Sequence, residues 1–285
     1  MQDENPFDTD TPFSSEEGVS FPIEHLSYSS IGLLERCPKA FYYRYIKGLK
    51  SEPNWKMITG SAFDETINYH YDQKKITGSD ETTDVLQDHV REEFKTRKDE
   101  ALWIPNQDLV KQQDKVLTAC TRGIKLFREK ILTKVEPEGT QIEIYHEFIP
   151  GLKFKGYIDL LETKDGGTVI VDNKTTWRKW NGTEKLWQLV VYSYMMKLQG
   201  RDIRETRYDV CRLKKRDEPE VTQFTDFITD QQHTFMAAKL AWAVNFLKVA
   251  LKDHTMFNHN LSSWQCGASC PYVDQCEAAL GMKLK

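Results

Sequence analysis

The chain has 285 residues, of which 39% are hydrophobic and 29% are charged, and its formal net charge at pH 7 is −4. This length is enough for one large domain or two small ones with a sizeable core. The small negative charge provides no global basic field, which argues against a protein that coats nucleic acid non-specifically but leaves room for local contacts. We expect no apolar run as long as a membrane span, and the acidic N-terminus lacks the pattern of a signal peptide. These observations predict a cytoplasmic protein with no membrane partner.

The N-terminal segment, residues 1–22, is predicted to be a disordered acidic tail. It is rich in Asp, Glu, Pro and Ser and contains no Lys or Arg, a composition that opposes the formation of a packed core. No internal repeat is apparent in the remainder of the chain. We therefore predict a single domain over residues 23–285.

Helical segments are predicted before the first long strand. Ser27 begins a helical stretch that ends near Gly48, and apolar residues at helical spacing predict a helix over residues 57–75. Two polar, amphipathic helices would then form a helical insertion over about residues 80–134. We expect Cys120, within this insertion, to be a buried core cysteine.

The most informative stretch follows the helical insertion and predicts a β-hairpin. Both arms are rich in Ile, Val, Leu and Tyr, and Asp165-Gly166 is a favoured pair for a type I′ turn because both positions need a positive φ. With this pair at the tip, Asp159 lies opposite Asp172 on one face of the sheet, and Lys174 lies on the same face. The Cβ atoms of the two aspartates would be about 5 Å apart.

Two carboxylates that face each other on a partly buried surface repel one another. A divalent cation between them would remove the repulsion, and hard cations such as Mg²⁺ and Mn²⁺ prefer carboxylate oxygens. A lysine on the same face would then polarise a water molecule or neutralise phosphate charge, which suits metal-assisted phosphodiester hydrolysis. An ordinary hairpin with solvent-facing polar residues stays open as an alternative, as does a different turn register.

Around the hairpin, the pattern predicts three further strands and two helices. The strands lie at residues 140–149, 205–213 and 221–228, and the helices lie at residues 183–198 and 230–251. Gln188 and Tyr192 are four residues apart and therefore share one face of the first of these helices. The basic and aromatic segment at residues 175–180 suits either the binding of a single strand or a surface loop anchored by tryptophan.

The six cysteines are more typical of metal ligands or core residues than of disulfides in a cytosolic protein. Cys211 is expected to pack within its strand. Cys266, Cys270 and Cys276 lie close together within the segment 264–280, and this spacing indicates a ligand cluster. Soft thiolate ligands suit a [4Fe–4S] cluster or Zn²⁺.

Several of these segments resemble motifs of the RecB-like branch of the PD-(D/E)XK nuclease superfamily, whose usual forms are G-x-x-x-H, G-x-x-D, D-x-K-T and Q-x-x-x-Y. The matches, in chain order, are Gly60-Ser-Ala-Phe-Asp64, Gly156-Tyr-Ile-Asp159, Asp172-Asn173-Lys174-Thr175 and Gln188-x-x-x-Tyr192. Asp64 stands where the family usually has histidine. Aspartate also ligates hard cations, so this departure is compatible with activity. A solvated helix residue stays open as the alternative for Asp64.

The cysteines extend the resemblance to the iron–sulfur members of this family, which include CRISPR-associated adaptation exonucleases and AddB-type nuclease domains. In those proteins, one cysteine precedes the nuclease core and three follow it. Cys37, Cys266, Cys270 and Cys276 match that order. The interval between Cys266 and Cys270 is one residue longer than usual, so the cluster type stays open between [4Fe–4S] and Zn²⁺.

The resemblance spans about residues 26–280 and implies an α/β fold with a restriction-endonuclease-like core. That core, at about residues 140–228, would contain a central mixed β-sheet flanked by helices. A cysteine-ligated metal cluster would clasp the N- and C-terminal segments of the chain. The order of the motifs along the chain, more than any single motif, supports this expectation.

The resemblance also implies a metal-dependent deoxyribonuclease, and specifically an exonuclease that acts on single strands or DNA ends. The implied ligands of Mg²⁺ or Mn²⁺ are the side chains of Asp64, Asp159 and Asp172 and the backbone carbonyl of Asn173. Lys174 would position the attacking water and stabilise charge at the phosphate. Gln188 and Tyr192 would orient the DNA strand.

Two other functions stay open at this point. Asp64 in place of histidine favours a DNA-binding or assembly subunit that keeps the nuclease fold without cleaving. The other is a module that is stabilised by a zinc ion and whose carboxylates bind nothing. The resemblance also allows for protein partners from recombination, repair or CRISPR-type systems.

Overall fold

The computed structural model describes residues 21–180, 186–214, 216–267 and 269–284. The chain forms two compact units, of which the first comprises the described residues of 1–51, 144–156 and 230–285, and the second comprises 52–143 and 157–229. The predicted disordered tail lies almost wholly outside the described residues. The predicted single domain over residues 23–285 stays a prediction.

The helices and strands correspond to those expected from the sequence, with ends shifted by a few residues. In chain order they are β1 (His25–Leu26), α1 (Tyr28–Arg36), α2 (Pro38–Phe41), a π-helical turn (Tyr42–Ile46), α3 (Trp55–Thr77), α4 (Thr83–Arg97), α5 (Leu109–Lys130), β2 (Pro137–Ile149), β3 (Leu152–Lys164), β4 (Gly167–Thr176), α6 (Leu186–Leu198), β5 (Glu205–Arg212), β6 (Glu220–Phe227), α7 (Asp230–Lys252) and α8 (Val273–Leu280). Short 3₁₀ turns follow α4, α5 and α7. The sequence analysis did not predict β1 or α8.

Local sequence explains where several helices begin and end. Ser27 and Ser30 form a capping box at the start of α1, in which each side chain accepts a hydrogen bond from the backbone N–H of the other. The Asn54 side chain accepts hydrogen bonds from two backbone N–H groups at the start of α3, and Gly78 ends that helix with φ of 70°. An N-terminal cap of this kind stabilises a helix by about 1 kcal/mol.

The strands form a mixed sheet. The β3–β4 pair is antiparallel, the β4–β5 pair is parallel and the β5–β6 pair is antiparallel. Both β2 and the short β1 also pair with β3. Because parallel neighbours need a crossover, α6 connects β4 to β5. The predicted α/β fold with a mixed central sheet flanked by helices is confirmed.

The β3–β4 hairpin has the predicted turn. Asp165 and Gly166 have φ values of 50° and 79°, as a type I′ turn requires at both central positions. This turn fixes the register, in which Lys164 pairs with Gly167 as predicted. The paired residues continue along the hairpin as far as Leu160 and Val171, the pair next to Asp159 and Asp172.

The second unit has a continuous apolar core between α3, α4 and α5 and one face of the sheet. It includes Phe63, Ile124 and Val171, and burial of one such side chain stabilises the fold by about 1.5–3 kcal/mol. Cys120 and Cys211 are fully buried in this core, so both predictions of packed cysteines are confirmed. The helix α6 packs against β4 and β5.

A buried ion-pair network on β5 was not predicted from the sequence. The Arg207 guanidinium donates to both carboxylate oxygens of Asp209, at 2.8 and 2.9 Å, and forms an ion pair with Glu162 on β3. Gln223 on β6 donates to Asp209 at 2.8 Å. Removing one partner from such a buried pair costs about 3–5 kcal/mol, so the network holds three strands in register.

The first unit contains the long helix α7. Its buried residues include Met236, Leu240 and Leu247, and α1 packs against it with a Lys239–Glu35 ion pair at 2.7 Å. By length and composition alone, α7 is the one described helix that could cross a membrane, whereas the sequence analysis expected no such run. Its buried face packs inside the unit, as in an apolar core helix.

Candidate active site

The polar residues that the sequence singled out come together in the second unit. Asp64 lies on α3, Asp159 lies on β3, and Asp172 and Lys174 lie on β4. Asp172 and Lys174 are two residues apart on a strand and therefore project from the same face. The charges of Asp64, Asp172 and Lys174 all act on Asp159, which requires that the four side chains lie close together.

Asp159 is held against β4 by a hydrogen bond, because its Oδ2 atom accepts from the backbone N–H of Asn173 at 2.8 Å. Burial raises the pKa of Asp159 well above its usual value; Asp172 and Asp64 raise it further, and Lys174 opposes the rise. The Asn173 side chain is also buried. Within the described part of the chain, its amide nitrogen and oxygen have no hydrogen-bond partner.

Asp172 is fully buried and is held from two sides. One of its oxygens forms an ion pair with the Lys174 ammonium. The other accepts a hydrogen bond from Gln188 Nε2 at 2.8 Å, and the same nitrogen also donates to the Tyr192 hydroxyl oxygen at 3.0 Å. Burial and the charge of Asp172 raise the pKa of Tyr192 to about 12, so its phenol stays neutral.

Asp64 belongs to the same electrostatic group. Burial raises the pKa of Asp64 to about 6, and Asp172 and Glu65 add to this rise, while Lys174 opposes it. A fully solvated helix residue would not have such a shift. The structure therefore brings Asp64 to the carboxylates of β3 and β4, and the alternative of a solvated helix residue does not describe it.

The sequence analysis missed two residues of α3 that support this group. Asn68 hydrogen-bonds to Asp64, and the buried Tyr71 interacts with the charges of Asp209 and Asp159. Asn68 and Tyr71 follow Asp64 by four and seven residues, so all three share one helix face. That spacing was the available signal, but polar residues at helical spacing are common on solvated helices.

The group contains more negative than positive charge. Among the described residues, the three carboxylates Asp64, Asp159 and Asp172 interact with the single ammonium of Lys174, which leaves two negative charges (three minus one) when all are ionised. Buried charge without a partner is costly. A divalent cation would cancel it, and carboxylates are the ligands that Mg²⁺ and Mn²⁺ prefer.

The donor set therefore fits such an ion chemically. However, no three His, Cys, Asp or Glu side chains among the described residues already have the arrangement of a metal site. Carboxylate rotamers would have to adjust when a cation binds.

The segment after Lys174 holds its tryptophans in packed positions. The Trp177 ring meets Trp55 edge-on, with 5.1 Å between ring centroids. The Trp180 ring packs edge-on against one aromatic ring of β5 and one of β6, at 4.9 and 5.2 Å. Arg178 and Lys179 are exposed. Of the two predicted roles of residues 175–180, the anchored loop describes the tryptophans, whereas Arg178 and Lys179 are the most exposed residues of the segment.

The four cysteines predicted as ligands lie near one another in the first unit. Burial raises the pKa of the Cys276 thiol to about 11, and Cys270, Cys37 and Cys266 each add to the rise. The four thiols therefore belong to one electrostatic group. The described residues include no group of three with the arrangement of a metal site, so the predicted cysteine-ligated cluster is not shown.

Direct protein contacts join the same N- and C-terminal segments of the first unit. Asn260 Nδ2 donates to the Arg36 carbonyl oxygen at 2.8 Å, and the Tyr272 hydroxyl donates to the Leu49 carbonyl oxygen at 3.2 Å. The Tyr43 and Tyr272 rings are 5.8 Å apart. The two segments therefore meet as the resemblance implied, and these contacts require no metal.

The raised pKa of Asp159 predicts a pH dependence of stability. Because the folded state binds the Asp159 proton more tightly than the unfolded state, folding stability of the metal-free protein falls as pH rises above about 4. Asp159→Asn removes that contribution. Thermal denaturation in EDTA, from about pH 5 to pH 7, should show a smaller loss of melting temperature for this variant than for the wild type.

Asp165→Asn, at the exposed tip of the same hairpin, is the matched control, because Asn-Gly also forms type I′ turns. It should keep the wild-type dependence on pH. If Asp159→Asn and Asp165→Asn lose stability equally as pH rises, the proposed burial and repulsion at Asp159 are wrong.

Comparison with known proteins gives the family. A family model for the PD-(D/E)XK nuclease superfamily matches residues 25–277, whereas a search of curated proteins gave no match. Among solved structures, a presumed exonuclease from Eubacterium rectale is 12% identical, with 81% of this chain and 82% of that chain covered and a TM-score of 0.49. The protein SSO0001 is 13% identical, with 92% and 89% covered and a TM-score of 0.39. These scores are too low to carry an argument, but the family match spans most of the chain, and the chain belongs to the PD-(D/E)XK nuclease superfamily.

Proposed function

We propose that the protein is a divalent-metal-dependent deoxyribonuclease, and specifically an exonuclease of single strands or DNA ends. The observation that carries this proposal is the convergence of Asp64, Asp159, Asp172 and Lys174 in one group with an excess of negative charge. Membership of the superfamily supports phosphodiester hydrolysis. The RecB-like branch, the preference for DNA and the exonuclease mode rest on the sequence motifs.

The three carboxylates and the backbone carbonyl of Asn173 would hold Mg²⁺ or Mn²⁺. When bound, the ion would supply Lewis acidity at the phosphate and lower the pKa of a bound water. Asp159 must lose the proton that burial and like charge favour, so binding of the ion should release protons. Asp64 stands where histidine is usual, and its carboxylate would replace an imidazole ligand.

Lys174 acts in this proposal as a permanent cation. Burial disfavours its charge, but Asp172 and Asp159 together raise the pKa of Lys174 above its usual value. The ammonium therefore stays protonated at neutral pH and serves as a hydrogen-bond donor, not as a general base. It would orient the attacking water and stabilise the negative charge that develops at the phosphate.

Gln188 and Tyr192 have a positioning role that their contacts support. Gln188 donates to Asp172 and to the Tyr192 hydroxyl oxygen, and these bonds fix the carboxylate orientation from α6. Orientation of the DNA strand by this pair is implied by the family motif and remains part of the proposal. A strand could reach the exposed Arg178 and Lys179 beside it through its phosphates.

A second function stays possible because of Asp64. A subunit that binds DNA or assembles with protein partners of recombination, repair or CRISPR-type systems could keep this fold after losing cleavage. Aspartate in place of histidine is the feature that favours it. Such a protein would bind DNA in the presence of Mn²⁺ without cutting it, so one cleavage assay separates the two functions.

The test is cleavage of end-labelled single strands in Mg²⁺ or Mn²⁺. Asp159→Asn, Asp172→Asn and Lys174→Ala should each lower the cleavage rate by at least about 100-fold, because each removes a ligand or the charge-stabilising cation. Asp165→Asn should cleave at the wild-type rate. Circular dichroism should show that all four variants are folded.

Wild-type cleavage by any one of the three site variants would contradict its assigned role. A wild-type protein that binds single strands but cleaves none in either metal would support the non-catalytic subunit instead. Shortening of the labelled strand from one end, one nucleotide at a time, would support the exonuclease mode over internal cutting.

We also propose that Cys37, Cys266, Cys270 and Cys276 hold a structural [4Fe–4S] cluster, with Zn²⁺ as the alternative. The mutual effect of the four thiols on the pKa of Cys276 supports their proximity. Soft thiolates suit either metal, and each thiol would release its proton on binding. By analogy with a disulfide across a long loop, the cluster would stabilise the fold by about 4–5 kcal/mol.

Metal analysis of protein purified without oxygen tests this proposal. Wild-type protein should be brown and contain iron and sulfide, and serine at any of the four positions should abolish the iron content and lower the melting temperature. Cys120→Ser, at a buried cysteine of the second unit, should keep the iron. Full metal content in Cys37→Ser would refute Cys37 as a ligand, and with it a cluster that joins the N- and C-terminal segments. A colourless wild type with one zinc ion would replace iron by zinc.

A further inference from the structure

A cavity of about 440 Å³ opens at the start of α5 in the second unit. Its lining combines two tryptophans with basic side chains: Trp55, Trp103, Lys111, Lys115 and Arg216. None of these residues belongs to the carboxylate group described above. Aromatic surface next to positive charge is the combination by which proteins hold single-stranded nucleic acid.

The aromatic wall begins beside the candidate active site. Trp177, three residues after Lys174, meets Trp55 edge-on at 5.1 Å, and Trp55 is stacked on Trp103 with 6.3 Å between centroids and 12° between ring planes. Trp55 is mostly buried, whereas Trp103 is partly exposed. Trp103 lines the cavity, so its exposed part is available for contact with a base.

Hydrogen bonds fix the shape of this cavity. Gln112 Nε2 donates to the carbonyl oxygens of Ile104 and Gln107, at 3.1 and 3.3 Å, and Gln112 Oε1 accepts from the Ile104 N–H at 3.2 Å. The Trp103 indole N–H donates to the Lys98 carbonyl oxygen at 2.9 Å. The loop before α5 is thus tied to the helix, and a ligand would meet a preformed wall, which lowers the entropy lost on binding.

The cavity is locally basic although the chain has a net charge of −4. Lys111, Lys115 and Arg216 are exposed at its rim, together with Asp108. The Lys111 ammonium is 3.3 Å from the Asp108 carboxylate, an exposed pair that is worth little in water. Three cations against one carboxylate favour a ligand that carries negative charge.

We propose that this cavity binds one nucleotide of a single-stranded nucleic acid, with the base stacked on Trp103 and a phosphate at Lys111 and Lys115. The inference rests on the proposed function only in taking a nucleic-acid strand as the substrate. Trp55 and Asp64 are nine residues apart on α3, which is about 14 Å along a helix. That distance equals about four stacked nucleotides at 3.4 Å each, so the cavity would hold the strand a few nucleotides from the bond that is cut.

Binding without cleavage tests the inference directly. Fluorescence anisotropy of labelled oligothymidylates in EDTA would compare wild-type protein with Lys111→Glu/Lys115→Glu. The control is Lys125→Glu/Lys130→Glu, which makes the same charge change at exposed positions near the other end of α5. Exposed lysines are chosen because replacing Trp103 itself could unfold the core.

Lys111→Glu/Lys115→Glu should bind an oligonucleotide of about 20 nucleotides at least about tenfold more weakly than the control, because two phosphate contacts are lost. The slope of log affinity against log salt should become shallower by about 1.4, or about 0.7 for each lost phosphate contact on a single strand.

Equal affinities and equal salt slopes for the two double variants would overturn the inference. A strand containing 5-bromodeoxyuridine gives a second measurement, since photo-crosslinks should map to the peptide that contains Trp103. Because both experiments omit divalent metal, they can succeed when the cleavage assay fails. Conversely, if the wild type cleaves in Mn²⁺ while both double variants bind the oligonucleotide with equal affinity, that result would support the proposed function and refute the nucleotide site at the cavity.

Discussion

The crowding of three carboxylates, one fully buried and two half-buried, around a single lysine is the constraint on which the candidate site depends. The raised pKa values of Asp64 and Asp159 record its cost. Asp172 has two direct partners, since Lys174 pairs with one of its oxygens and Gln188 donates to the other. Protons or a divalent cation can relieve the remaining negative charge. Under the proposed function, the cation would also supply the Lewis acid for phosphodiester hydrolysis.

A few features of the fold hold these side chains in position. The Asp165-Gly166 turn sets the register of the β3–β4 hairpin, which brings Asp159 within hydrogen-bond distance of the Asn173 N–H. The parallel β4–β5 pair requires a crossover, and this connection places α6 and Gln188 against β4. The Arg207 network then ties β3, β5 and β6 together. These protein contacts set the positions of the carboxylates, whose rotamers would adjust when an ion binds.

Much of this could be predicted from the sequence, because the decisive signals are local. The Asp-Gly turn pair and the alternation of side chains along the strands predicted the hairpin. Apolar residues at helical spacing predicted the long helices. The Arg207–Glu162 pair was out of reach, since its partners are far apart in sequence and nothing local to either residue indicates the other. The cavity at Trp103 depends on how α3, α5 and two loops pack. Ligation by the cysteines depends on the metal itself, which the sequence indicates only through spacing.

Calorimetric titration of Mn²⁺ into metal-free protein near pH 6, the pKa of Asp64, tests the central claim most directly. Repeating it in buffers of different ionisation enthalpy measures the protons released. The account predicts that wild-type protein binds Mn²⁺ with release of protons, and that Asp172→Asn loses this binding. Equal Mn²⁺ affinity for the wild type and Asp172→Asn, or binding without proton release, would contradict the assignment of these buried carboxylates as the metal site.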